Sequence, residues 1–192
     1  MSRIPVFEIG VWNAWILVLL NLLPVFYVAF FRKGLFERTM SIHASIVTGT
    51  ENKIFIFSKV IMFSVFIYSI FLPLQFGTIW FSIGLPIYLL GLILQTITWV
   101  NLATSPVDEL TTNGLYRYSR HPMYITQPLA YIGIGIASAS WLFLLLSIVF
   151  IITHLYNAIP EERGCLEVYA NAYREYMDRT PRWIGTPKSE AK

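Results

Sequence analysis

Charged residues divide this chain into long apolar runs. Residues 9–31 contain no Lys, Arg, Asp or Glu and are rich in Leu, Val and Trp. At 1.5 Å of rise per residue that run is long enough for one bilayer-spanning helix. Residues 60–107 hold no formal charge over 48 positions, which predicts two spans with a turn at 73–78. Two further runs, 122–139 and 141–159, lie in a stretch with no charged residue between Arg120 and Glu161. The pattern predicts an all-α membrane protein of about five transmembrane helices, the last two forming a hairpin. A four-helix arrangement, with the short run 122–139 re-entrant, is the alternative.

Composition removes the soluble classes. The chain is 56% hydrophobic and 13% charged, with a mean hydropathy of +0.59, whereas a soluble domain carries roughly 25% charged residues. We expect a single membrane domain over 1–192, with three spans in 1–100 and the polar motifs in 101–192. Gly133 and Gly135 form a G-x-G inside an apolar helical run with no preceding strand, which fits close helix packing and not a Rossmann domain. The net charge of +3 is too small and dispersed to predict a nucleic-acid partner.

Basic residues orient the spans. With five crossings, the loop holding Arg32, Lys33, Arg38, Lys53 and Lys59 shares a side with Arg117 and Arg120. The tail holding Arg163, Arg174, Arg179, Arg182, Lys188 and Lys192 lies there too, so only Arg3 of the 14 Lys and Arg falls opposite. This bias predicts a cytoplasmic C-terminus and motifs facing the cytoplasm. The first apolar run lacks a small-residue cleavage site and is read as a retained span.

Several chemistry-bearing residues have ordinary readings. Cys165 is the only cysteine; it can form no intramolecular disulfide and is read as a bystander. His43 and His154 have no companions at ligand spacing, so no metal site is expected.

The block from Gly114 to Tyr124, G-L-Y-R-Y-S-R-H-P-M-Y, is different. Proline favours the first turn of a helix, so Pro122 places His121 at a helix N-terminus, where free N–H groups and the dipole attract an anion. Lipid-headgroup anchoring by Arg117, Arg120 and His121 is the competing use. The hairpin returns the chain to the same membrane face at Pro160-Glu161-Glu162. Pro160 either kinks the fifth span or starts a new helix, and two acids in a first turn suit both capping and the binding of an ammonium group. Beyond them Leu166, Tyr169, Tyr173 and Tyr176 recur at helical spacing. That predicts a cytosolic helix packing its tyrosine stripe over the hairpin, with cofactor lining as the alternative.

These motifs, together with E-E-R-G-C-L and Y-R-E-Y-M-D-R-T-P-R, resemble the C-terminal half of the isoprenylcysteine carboxyl methyltransferase family, of the prokaryotic integral-membrane type. The resemblance covers roughly 101–182; phospholipid N-methyltransferases and membrane sterol reductases are similar more distantly. It implies a membrane methyltransferase using S-adenosyl-L-methionine. By the same resemblance Tyr116, His121, Pro122, Met123 and Tyr124 line the cofactor, and Glu161 holds its amino group. A cofactor loop upstream falls on Asp108, Glu109, Leu110 and Thr111, with Asn101 before it. The family's arginine one turn before the acid pair, which meets the substrate carboxylate, is replaced here by Asn157, the expected acceptor contact.

Methyl transfer from a sulfonium is an in-line displacement that needs alignment and a dry site, not a covalent nucleophile. No catalytic residue is therefore expected. The resemblance implies carboxyl O-methylation of a lipid-modified or lipophilic acceptor, delivered from the bilayer. Phospholipid N-methyltransferase-like activity and an NADPH-dependent sterol-type reductase are the alternatives, with a non-catalytic scaffold behind them.

Overall fold

The computed structural model describes residues 10–37, 39 and 49–188. Arg3, Arg38, His43 and Lys192, used above, lie outside the described residues. The α-helices include α1 Trp15–Phe31, α2 Gly49–Ile70, α3 Ile79–Thr104, α4 Met123–Ala137, α5 Trp141–Tyr156 and α6 Ala158–Arg179, with a 3-10 turn at Gly114–Arg117. Among the described residues the only extended pairing is an isolated bridge between Asn13 and Pro73. The protein is an all-α membrane protein.

Among the described residues three stretches are long and apolar enough to cross a membrane: α2, α3, and α5 taken together with α6. The 17 residues of α1 and 15 of α4 reach about 25 Å and 22 Å, against a hydrocarbon core of about 30 Å.

Two span boundaries differ from the charge pattern. Helix α1 starts at Trp15, not residue 9, because residues 13 and 14 bind the α2–α3 connection: Asn13 Nδ2 donates to Ile70 O at 2.8 Å and Ala14 N to Leu72 O at 2.8 Å. Helix α2 starts at Gly49, eleven positions before the uncharged run. Charge marks where hydrocarbon begins, whereas a helix continues into water wherever its polar side chains find partners. Glu51, in the first turn of α2, pairs with Arg163 of α6.

The main helix contact is α3 against α4, and small residues allow it. A Cβ at Gly84 would meet the backbone of Ala137, one at Gly91 the backbone of Ala130, and one at Gly133 the backbone of Tyr88. Without tail–tail hydrophobic driving force, such close backbone approach is what associates helices in lipid. Tyr88 also crosses to α1, its hydroxyl donating to Leu17 O at 2.9 Å. Between α4 and α5, Ala139 adopts φ +50°, and Ser140 accepts from Phe143 N at 3.2 Å to cap α5.

The two alternatives at Pro160 resolve in favour of a new helix. The chain breaks at Asn157 and restarts at Ala158, leaving Pro160 in a first turn, where its missing N–H costs little. Helix α6 then bends at Ala170, whose φ of 46° and ψ of −117° are non-helical.

Candidate functional site

The hairpin returns the start of α6 to the start of α4, so residues 41 positions apart touch. His121 and Glu162 are both buried, and His121 Nε2 lies 3.2 Å from Glu162 Oε1. Arg120 Nη2 lies 3.0 Å from the same oxygen. Arg182, from the segment after α6, places Nε 3.1 Å from both carboxylate oxygens and Nη2 2.5 Å from Oε2. Burial alone would raise the Glu162 pKa, but the hydrogen bonds from His121 and Arg182 and the charge of Arg120 override it and hold the group down to about 2.

The tail that supplies Arg182 is tied over the motif by its backbone. Arg120 N donates to Pro181 O at 3.0 Å, Gly185 N to Tyr118 O at 3.1 Å, and Ser119 Oγ to Arg182 O at 3.2 Å. Tyr176 of α6 adds a hydroxyl bond to Tyr116 O at 2.6 Å.

Glu161 points elsewhere. Successive helix residues diverge by about 100°, so when Glu162 faces Arg120, His121 and Arg182, Glu161 is turned toward a cleft of about 100 Å³. Tyr124 donates its hydroxyl to Glu161 Oε2 at 2.5 Å, and His121 Nδ1 lies 4.0 Å from that oxygen. The two acids therefore do not form one ammonium cage as expected. Nor is His121 turned to an open anion site at the helix start: its two nitrogens face the two acids, because a buried carboxylate at Glu162 draws every available donor.

Of the expected site residues, Leu110, Thr111, Tyr116, His121, Met123 and Glu161 line the cleft. Tyr124 is buried behind Glu161 and joins the site through its hydroxyl. Asn101 supports the cleft from behind: its Oδ1 accepts from Leu115 N at 3.0 Å, and a Cβ at Gly114, where φ is +56°, would strike its side chain. Pro122 caps α4. Glu109 and Asp108 are exposed and outside the lining, and Asn157 is buried at the α5–α6 junction, also outside it.

Sequence reasoning missed Arg120 as a lining residue and placed the tyrosine stripe mainly on the hairpin. Tyr169, Tyr173 and Tyr176 instead line the cleft, as does Cys165. The 3.6-residue spacing of the tyrosines carried the signal, but not the roll of α6. Burial, then the nearby Glu161 charge, pushes the Tyr116 phenol well above its usual range; burial does the same to the Cys165 thiol. Both stay protonated, and the thiol is a poor nucleophile. Among the described residues no cluster of metal-ligating side chains occurs.

Residues 92–172 match the family model described as phospholipid methyltransferase, a membrane methyltransferase family related to the isoprenylcysteine carboxyl methyltransferases. The match runs from within α3 through the cleft loop and the hairpin into α6. No curated protein and no solved structure matches the chain.

Proposed function

We propose that this chain is an S-adenosyl-L-methionine-dependent membrane methyltransferase acting on an amine-bearing lipid head group. One observation carries the reading: a carboxylate, Glu161, is oriented by Tyr124 into a cleft that also presents Arg120 and a set of tyrosine rings. The residues present fit the cofactor's ends. Glu161 suits its ammonium. Arg120, whose buried Nε meets no protein partner, suits its carboxylate, and Tyr116, Tyr169 and Tyr173 offer aromatic faces to the base and the sulfonium. When bound, the cofactor supplies a methyl group on a positively charged sulfur. The chain's own work is to align that carbon with the acceptor and to exclude water.

The choice of acceptor follows from charge. A carboxylate acceptor entering a dry site calls for a cation of its own. Arg120 is already committed in part to Glu162, and the position one turn before the acid pair is the neutral Asn157. An amine needs no such cation, and the similarity to phospholipid methyltransferases supports the same choice. Carboxyl O-methylation of a lipophilic acceptor is the second reading. The positive-inside bias supports a cleft at the cytoplasmic face, where the soluble cofactor would enter from water and the lipid from the side.

Calorimetric titration with S-adenosylhomocysteine and, separately, NADPH tests the cofactor. Binding of the first and not the second is expected; the reverse would make the protein a reductase. Transfer of labelled methyl to vesicles containing phosphatidylethanolamine, against a prenylcysteine, separates the acceptors. A C-terminal reporter fusion active only outside the cytoplasm would overturn the orientation.

A further inference from the structure

His154 is a histidine within the otherwise uncharged span α5, and the reading above gives it no role. Its ring lies against two others. The Tyr124 ring stacks on it with centroids 4.2 Å apart and planes 29° apart, and the Phe150 ring stacks on its other side at 4.9 Å and 20°. Phe150 in turn meets Tyr131 of α4 edge to face at 5.5 Å. His121 closes on Tyr124 edge-on at 5.3 Å. Tyr124 is thus stacked by His154 and met in a T-shaped contact by His121, and its hydroxyl is delivered to Glu161 Oε2.

A phenol ring has two χ angles, and fixing both determines where its oxygen lies. The start of α4 fixes the Tyr124 backbone, but His121, itself held by Glu162, meets the ring only in a T-shaped contact. The flat surface that sets the ring plane comes from α5. His154 lies in the last turn of α5 and Glu161 in the first turn of α6, so the two partners of Tyr124 flank the α5–α6 junction.

We infer that His154 is a positioning residue for the carboxylate that holds the cofactor's ammonium: its ring sets the plane of Tyr124, and Tyr124 in turn holds Glu161 toward the cleft. The inference rests on the cofactor reading above. It requires a flat ring at position 154, not a proton or a charge.

The test uses S-adenosylhomocysteine affinity of the purified full chain. His154→Phe keeps a flat ring, and His154→Leu keeps apolar bulk without one; both suit a membrane span. His154→Phe should bind within about twofold of the wild type and His154→Leu about tenfold more weakly, a difference of about 1.4 kcal/mol. In a Tyr124→Phe background, where no hydroxyl remains to be placed, the two substitutions should become equivalent, as a double-mutant cycle requires of residues acting through one another. Equal affinity of all position-154 variants in the Tyr124 background would overturn the inference. So would a loss in His154→Phe as large as in His154→Leu, or a His154→Leu loss that persists without the hydroxyl. If the wild type itself does not bind S-adenosylhomocysteine, the cofactor reading fails first and the inference with it.

Discussion

His121 and Glu162, neighbours across the whole α4–α5 hairpin, meet with Nε2 3.2 Å from Oε1, and neither is exposed to more than 4%. The contact divides the acid pair. Glu162 is spent on structure, while its sequence neighbour is left to the cleft, so the same substitution at adjacent positions should have opposite signatures.

Glu161→Gln should weaken S-adenosylhomocysteine binding by roughly tenfold to a hundredfold, the worth of a charge-assisted hydrogen bond of about 1.5–3 kcal/mol. The thermal midpoint should hardly move, because Tyr124 can still donate to the amide oxygen. Calorimetry and a thermal melt on the same sample check both halves.

Glu162→Gln should instead destabilise the fold. Removing the acid leaves Arg120 buried with less compensation, and breaking such a pair costs on the order of 3–5 kcal/mol. Arg182→Gln should cost less, since its side chain is 40% exposed and solvent screens the loss. Unfolding midpoints in detergent rank the three proteins.

The same carboxylate sets an acid limit. Its folded pKa of about 2 lies below its ordinary 4.5, so the stability it contributes is complete above 4.5 and is lost as the pH falls toward about 2. The wild type should therefore lose stability across that window more steeply than Glu162→Gln; parallel curves would remove Glu162 as the cause.

Much of this was legible beforehand because charge is costly in hydrocarbon. The uncharged runs located the spans, and the near-equal arms of the 122–159 hairpin required His121 and the acid pair to meet. The roles within the pair were not legible. Whether Glu161 or Glu162 faces the cleft depends on the roll of α6, and that roll is pinned by Arg120, Arg182 and the backbone of 181–185, none of which belongs to a periodic pattern. Asn157 and Glu109, placed at the site by the resemblance, fall outside the lining, because a match of position along the chain does not fix which way a side chain is turned. Ring stacking leaves no mark in residue spacing, so the place of His154 between Tyr124 and Phe150 is not legible either.

Helix packing predicts a further contrast. Gly133→Ala drives a Cβ into the Tyr88 backbone, which cannot yield as a flexible side chain would, and should cost roughly 1–3 kcal/mol. Gly34→Ala, with nothing near its added carbon, should stay within about 0.5 kcal/mol of the wild type. Comparable melts for the two would refute the close α3–α4 contact.

Two buried asparagines on or beside α1 should also part company. Asn13 Nδ2 donates to Ile70 O, whereas neither amide atom of Asn21 meets a protein partner. Asn21→Val should be neutral or stabilising by about 1 kcal/mol, and Asn13→Val destabilising by about as much or more. Urea-free thermal unfolding of the pair decides it.

Arg182 also imposes an order on synthesis. It is the last of the three residues around Glu162 to leave the ribosome, 20 positions after Glu162 itself, a delay of roughly 1–4 s at ~5–20 residues per second. During that interval the hairpin can enter the bilayer and His121 and Arg120 can find Glu162, but the tail cannot yet fold back across Ser119. The tail that ties down Glu162 is therefore set in place only after the helices that carry Tyr124 and Glu161.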